Sequence, residues 1–371
     1  MSRIFSILVL VSFFISCTSK DKIPVMVWTG GPGEASDAEI LEKFNTFKEH
    51  GIDGVMYNGG QNPEIYKRVG KLAKDAGLEF HTWIPTMIQS NNSELKPEWY
   101  MVNRLGESAY DKPVYVPYYK ILCPSREEVY NFLSNMYTKV AEVPEVEGIH
   151  LDYIRFPDVI LAEGLWEKYG LVMDKEYPKY DYCYCDVCTS NFKEKTGIDI
   201  KEVEDPSQVE EWGQFRYDLI TSLVNRLAAD VHETGKQITS AVFPGPSISK
   251  KLVRQEWNKW NVDAIYPMNY NDFYLKDAKW VGDMVKEEVT SVNNKKPIYS
   301  GLFITPFPSE KDKHSDPENH GLAPEEMVEA IELSMVNGAT GICLFTPERM
   351  TDEHWKLFKE AIHKDYSSLV K

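Results

Sequence analysis

The sequence predicts an α/β protein of the (β/α)₈ barrel class. Short apolar segments that end in Gly, Pro or Asn alternate with longer amphipathic ones along the whole chain, the alternation repeats eight times, and the 371 residues fit one barrel with long loops. The strands read at 25–28, 54–57, 79–84, 148–153, 237–243, 264–268, 297–303 and 341–345. The helical patterns between and after them fall at 38–50, 63–76, 125–142, 208–233, 250–260, 275–288, 324–337 and 351–364. Ser36 or Asp37 offers a cap to the first helix, and Ser125 with Glu128 reads as a capping box for the third. Gly51, Gly77 and Gly235 stand where helices should stop.

Three strand-to-helix connections are far longer than usual: 85–124 after the third strand, 155–207 after the fourth and 304–323 after the seventh. Loops on that side of a TIM barrel carry its function, so the three should surround one deep cleft or groove.

The N-terminus is not part of this pattern. Met1-Ser2-Arg3 precedes an apolar run from Ile4 to Ile15, too short to span a bilayer and laid out as a signal peptide. The run ends Phe14-Ile15-Ser16-Cys17, which resembles the bacterial lipobox with Phe14 in place of the usual leucine. Residues 1–17 are then the leader with Cys17 as the acylated residue, 18–23 a polar tether, and 24–368 a single barrel domain. The expected location is the bacterial cell envelope, with the protein lipid-anchored and facing the periplasm or the cell surface.

A net charge of −16 with no block of basic residues argues against a nucleic-acid partner. Nine Trp and 21 Tyr are more than packing alone needs in an exported acidic chain, and aromatic faces are what sugar rings stack upon.

The fourth strand holds the sharpest signal. In Gly148-Ile149-His150-Leu151-Asp152-Tyr153, period-two alternation puts His150 and Asp152 on the face opposite Ile149 and Leu151, pointing into the barrel. A carboxylate there is costly unless something uses or pairs it. A structural ion pair of Asp152 with Arg155 or His150 is the alternative. Other strand ends send polar and aromatic groups toward the same mouth: Trp28 from the first, Tyr57 and Asn58 from the second, His81 and Trp83 from the third, and Tyr266, Asn269 and Tyr270 from the sixth. With His150 and Arg155 these form the expected substrate-binding set, since sugars offer hydroxyl edges and apolar faces together.

Leu122-Cys123-Pro124-Ser125, the strand-four stretch through Phe156-Pro157, Tyr184-Cys185-Asp186-Val187-Cys188 with Phe192, Phe215-Arg216, and 262–270 together resemble the glycosyl-hydrolase-like family 10 proteins and related barrel glycosidases. The likeness covers most of the chain after Ile23. It implies a TIM-barrel hydrolase of glycosidic bonds, some lipid-anchored members being associated with peptidoglycan glycan strands stripped of peptides, and its functional residue transfers at Asp152. Met268-Asn269-Tyr270-Asn271 is also similar to the strand-six motif of family 18 chitinases, but the catalytic Glu of those enzymes falls here at Ile154, so their mechanism is not inferred.

Glycoside hydrolysis normally needs two carboxyls, one protonated and one ionised. Asp152 is the first. Glu348 after strand eight and Asp272 after strand six are the candidate partners, followed by Asp158 and Asp181 in loop four. A pair with Arg155 would keep Asp152 ionised, whereas burial without that pair would suit a general acid.

Cys183-x-Cys185-x-x-Cys188 has a spacing that fits zinc, with Cys123 or a histidine as fourth ligand, but a disulfide or simple loop packing is the favoured reading and no cofactor is expected. Cys343, inside strand eight, reads as a buried apolar residue. The metal-dependent amidohydrolases of this fold need a His-x-His pair on strand one, which Val27-Trp28-Thr29-Gly30 lacks. The competing function is a surface lipoprotein that binds glycans without cleaving them.

Overall fold

The computed structural model describes residues 22–30, 35–90, 92–304 and 316–367. The leader, Cys17 and most of the tether lie outside the described residues, as does most of the loop after strand seven. Among the described residues no helix is long and apolar enough to cross a membrane.

Eight parallel strands form the sheet: β1 (Val25–Gly30), β2 (Gly54–Asn58), β3 (Glu79–Pro85), β4 (Gly148–Asp152), β5 (Gln237–Val242), β6 (Ala264–Pro267), β7 (Tyr299–Phe303) and β8 (Gly341–Phe345). The helices are α1 (Asp37–Glu49), α2 (Pro63–Asp75), α3 (Glu127–Ala141), α4 (Trp166–Tyr169), α5 (Asp186–Thr196), α6 (Glu210–Glu233), α7 (Pro246–Val253), α8 (Ala278–Ser291), α9 (Pro324–Val336) and α10 (Asp352–Ile362). Hydrogen-bonded neighbours run β6-β5-β4-β3-β2-β1-β8-β7, and two isolated parallel bridges, Ile265 with Ile298 and Met268 with Gly301, close β6 onto β7. The (β/α)₈ barrel read from the sequence is the observed fold, and α4 and α5 are short additions within the loop after β4.

Strand alternation sorts the buried side chains into two layers. Met26, Trp28, Met56, Ala241, Tyr266 and Cys343 pack inside the barrel. Val27, Val55, Tyr57, Ile149 and Leu151 face outward into the larger layer between sheet and helices. Gly301 is where the interior needs a residue without a side chain: a Cβ there would sit 2.6 Å from the Pro267 carbonyl oxygen and 2.9 Å from the Trp28 indole.

Helix ends follow local chemistry. Ser36 caps α1 in a full capping box with Glu39. Gly51, Gly77 and Gly235 all have positive φ just past their helices. Ser125 does not cap α3: Arg126 holds the cap position without a side-chain bond, and the Ser125 hydroxyl lies 3.1 Å from Cys188 Sγ instead. The pattern expected at 250–260 is also shifted. Pro246, with φ preset for a first turn, starts α7 four residues earlier, and Arg254 with φ 58° ends it. Leu275, expected to open the next helix, has φ 54°, and α8 starts at Ala278 behind an Asp277 cap.

Candidate active site

A cavity of about 460 Å³ opens at the C-terminal ends of the strands. Its floor is built from Trp28, Trp83, Asp152, Ala241, Met268 and Phe345, one residue from each of six strands or the positions just beyond them. Its walls come mainly from the loops after β3, β4 and β6, rich in tyrosine and phenylalanine, with Phe243 after β5, Glu318 after β7 and Arg349 after β8.

Asp152 is the last residue of β4 and is buried. Its Oδ2 accepts the Trp83 indole N–H over 2.8 Å, and its Oδ1 accepts the backbone N–H of Tyr153 over 2.6 Å. The second bond requires the chain to turn sharply, and Tyr153 does so with φ 48°, a left-handed conformation that is costly for a bulky residue and concentrates at functional sites. Burial raises the Asp152 carboxyl above its ordinary range; the two N–H bonds and the more distant Arg155 only partly oppose that. Neither direct partner is a cation.

Arg155 is occupied elsewhere. Its Nη1 lies 2.8 Å from Asp158 Oδ2 in a buried ion pair, and the same oxygen accepts the Tyr119 hydroxyl. The guanidinium sits 4.7 Å from the Phe243 ring centroid and 5.1 Å from that of Tyr153, so aromatic faces help to hold it. Arg155 thus pairs with Asp158, three residues along in the same loop, and not with Asp152, the alternative that the sequence left open.

Six of the sequence-derived residues line the cavity together: Asp152, Asp158, Trp28, Trp83, Arg155 and Tyr270. The others are placed elsewhere, some by the face their strand gives them and some by their depth in the barrel. Tyr57 points outward, packed edge-on against Phe44. Asn58 accepts from the amide of Gly60 at 3.4 Å in the turn after β2. His81 lies low in the barrel, 2.7 Å from Glu79. His150 lies beneath the floor, where Trp28 Nε1 donates to its Nε2 over 2.9 Å and its Nδ1 meets Thr239 Oγ1 at 2.7 Å. Burial, with His81 nearby, pushes His150 well below its ordinary pKa, so the ring is neutral and its Nδ1–H donates to Thr239. Tyr266 stacks on Tyr299 inside the barrel at 4.7 Å. Asn269 faces outward, donating to Glu288 Oε2 over 3.2 Å and to Ser300 Oγ over 3.1 Å.

Neither expected partner carboxylate lines the cavity. Glu348 accepts from the hydroxyls of Thr29 and Thr346 and lies 3.3 Å from the Lys43 ammonium. Asp272 sits in the 3₁₀ turn after β6, with its side chain off the cavity wall. Asp181 is buried in a structural network, accepting from Arg216 and, at 2.5 Å, from the Tyr184 hydroxyl. Among the described residues, the carboxylates that do line the cavity besides Asp152 are Asp158 and Glu318; Glu318 is 2.7 Å from Lys168.

Sequence reasoning missed the tyrosine wall. Tyr115, Tyr118 and Tyr119 line the cavity from the loop after β3, and Tyr115, with φ 63°, stacks on Tyr180 at 4.9 Å and donates to the Asp158 carbonyl over 2.6 Å. The dense run Tyr115-Val116-Pro117-Tyr118-Tyr119 in a long loop on the functional face was the available signal.

The remaining sequence-derived feature is the cysteine group. Cys183, Cys185 and Cys188 converge with Cys123, all four buried and none disulfide-bonded, where the sequence favoured a disulfide or simple loop packing. Cys343 is buried in the barrel interior, as expected.

No protein-family model matches the chain, and no curated protein matches it in sequence. Solved structures share its architecture. The PgaB (BpsB) glycoside hydrolase domain from Bordetella bronchiseptica is similar over 92% of this chain and 99% of that one, with a TM-score of 0.66 and 10% identity. The catalytic domain of a beta-amylase from Paenibacillus polymyxa is similar over 95% of this chain and 99% of its own, at TM-score 0.60 and 12% identity. A beta-galactosidase from Marinomonas ef1 is similar over 94% of this chain and 62% of its own, at TM-score 0.62 and 11% identity. At such identities the likeness establishes the barrel fold.

Proposed function

We propose that this chain is a glycoside hydrolase that cleaves O-glycosyl bonds of a poly- or oligosaccharide, with Asp152 as the proton donor. The observation that supports this reading is one carboxyl on the floor of an aromatic cavity at the C-terminal end of a barrel, held by two neutral N–H donors and shifted toward its protonated form. The aromatic floor and walls supply stacking faces for sugar rings. The second carboxyl of the reaction is drawn from Asp158 and Glu318, which share the cavity, in place of Glu348 and Asp272. The barrel likeness to glycoside hydrolase domains agrees with this reaction class, and the family resemblance in the sequence points to peptidoglycan glycan strands as the first substrates to try. The same reading puts the protein at the cell envelope, tethered through a lipid on Cys17.

One observation favours a second reading, glycan binding without cleavage: Asp158 and Glu318 are both ion-paired, to Arg155 and Lys168. A single screen separates the two. Protein starting at Lys20 is incubated with peptidoglycan glycans and with plant and algal oligosaccharides, and both new reducing ends and binding are measured. Release of reducing ends supports the hydrolase; binding of a glycan that remains intact on prolonged incubation supports the lectin-like alternative.

A further inference from the structure

We propose that Cys123, Cys183, Cys185 and Cys188 form a structural zinc site that ties the loop after β3 to the loop after β4. All four ligand sulfurs lie within 4.8 Å of one another, and every one of these residues is buried. Cys123 Sγ stands 3.4 Å from Cys188, 3.6 Å from Cys185 and 3.8 Å from Cys183. Separations this similar from one sulfur to three others, with all four inside 4.8 Å, fit the vertices of a tetrahedron. Four thiolates around zinc at about 2.3 Å have edges of about 3.8 Å. Two disulfides would instead sort the sulfurs into two close pairs, each bonded at about 2.05 Å, and Cys123 shows no preferred partner.

The surroundings suit thiolates. Val102 N–H points at Cys183 Sγ over 3.4 Å, and the Ser125 hydroxyl lies 3.1 Å from Cys188 Sγ, the kind of outer contact that orients metal-bound sulfur. Cys185 holds the cap position of α5 and Cys188 lies in its first turn, where the helix dipole favours negative charge. This also explains why Ser125 leaves its expected capping role. Binding joins one Zn²⁺ to four sulfurs and releases the thiol protons to solvent; no oxidant or reductant takes part.

The location gives the site its purpose. Cys123 ends the loop that carries Tyr115 and Tyr119, and the other three cysteines belong to the loop that carries Arg155 and Asp158. The metal would fasten together the two cavity walls at a point outside the cavity, as a structural rather than a reacting ion, independently of the reaction proposed above.

The test is metal content of the full exported chain, purified without added metal, by plasma mass spectrometry. The expected result is one zinc per chain, reduced to background in Cys123→Ser and in Cys185→Ser. Where those variants fail to fold, the wild-type protein decides: an organomercurial should release one zinc, and protein refolded with Co²⁺ should show the intense visible absorption of a tetrahedral thiolate site. Metal-free protein with four reactive thiols on unfolding, beyond Cys343, would overturn the proposal. So would disulfides found among these cysteines by peptide mapping, or zinc that persists in folded Cys123→Ser and Cys185→Ser.

Discussion

The Trp83 indole donates to Asp152 Oδ2 over 2.8 Å, and this bond does two jobs: it fixes the carboxyl at the cavity floor and it moderates a pKa that burial has raised. Trp83 is itself a floor residue, so orientation and electronics of the acid come from the same side chain that a sugar would meet.

For Asp152→Asn, turnover should fall by several orders of magnitude, because an amide can neither give a proton nor hold negative charge. Stability should fall by about 1–3 kcal/mol, since the amide accepts only one of the two N–H bonds and turns its own NH₂ toward the other donor. Steady-state kinetics and a melting curve on one preparation measure both. A variant that melts early but turns over normally while folded removes Asp152 from the reaction.

Trp83→Phe should move the pH profile. The protonated Asp152 is the active form in this reading, so activity declines as pH rises through its elevated pKa. Removing the Trp83 N–H takes away an interaction that lowers that pKa, which carries the basic limb of kcat/KM to higher pH. A limb that stays in place or moves to lower pH contradicts the assignment.

Arg155→Met should destabilise the protein by about 3–5 kcal/mol, because it leaves the buried Asp158 without its cation. Adding Asp158→Asn should recover part of the loss, whereas adding Asp152→Asn should not. Denaturant melts of the single and double variants form the cycle; recovery with Asp152→Asn and not with Asp158→Asn would point to the alternative pair of Arg155 with Asp152.

Glu288 makes a prediction about stability that does not involve the cavity. It is fully buried on α8, accepting from Gly245 N over 3.1 Å and from Asn269 Nδ2 over 3.2 Å, and burial pushes its pKa up from 4.5 to about 8. The protonated form is therefore favoured in the fold, so its contribution is complete below the unfolded pKa of 4.5 and is lost as pH rises through about 8. The wild type should lose on the order of a few kcal/mol between about pH 5 and about pH 8. Glu288→Gln should flatten that slope. Parallel slopes in urea melts of the two proteins would count against it.

Cys17→Ala should convert the exported protein from membrane-associated to freely soluble, as the lipid on this residue is the anchor in the reading above. Fractionation of the producing cells measures it, and a variant retained in the membrane fraction would require another tether.

The barrel was legible because alternation of apolar and amphipathic segments is a property of every βα unit, so a misplaced helix start at Pro246 did not disturb the count. Asp152 was legible for a similar reason: two-residue periodicity from Ile149 and Leu151 settles which face it takes. The same rule applied to strand two, where Met56 faces in and Tyr57 out, would have removed Tyr57, and applied to strand six it would have removed Asn269. Distance along the strand was the harder quantity. His81 and His150 point inward yet lie too deep, because periodicity gives face but not height. The partner of Arg155 was not readable at all, since Asp152 and Asp158 stand equally close in sequence and the choice depends on how the loop turns at Tyr153.

The join between β6 and β7 gives the barrel an uneven stiffness. The other seven neighbouring pairs are continuous ladders, whereas this one rests on two isolated bridges, with Ile265 N–H on Pro297 and Asn269 N–H on Gly301 at 3.0 Å each. Above it, aromatic rings take over from backbone: Tyr270 and Phe273 lie 5.1 and 5.5 Å from Phe303 across the join. Ring contacts slide and re-form more easily than a ladder does, so this side of the mouth is the one that can widen without unzipping a strand. Asp152 stands away from this join, at a point where the ladder of β3 with β4 is continuous up to the pair of Pro85 with Asp152 itself.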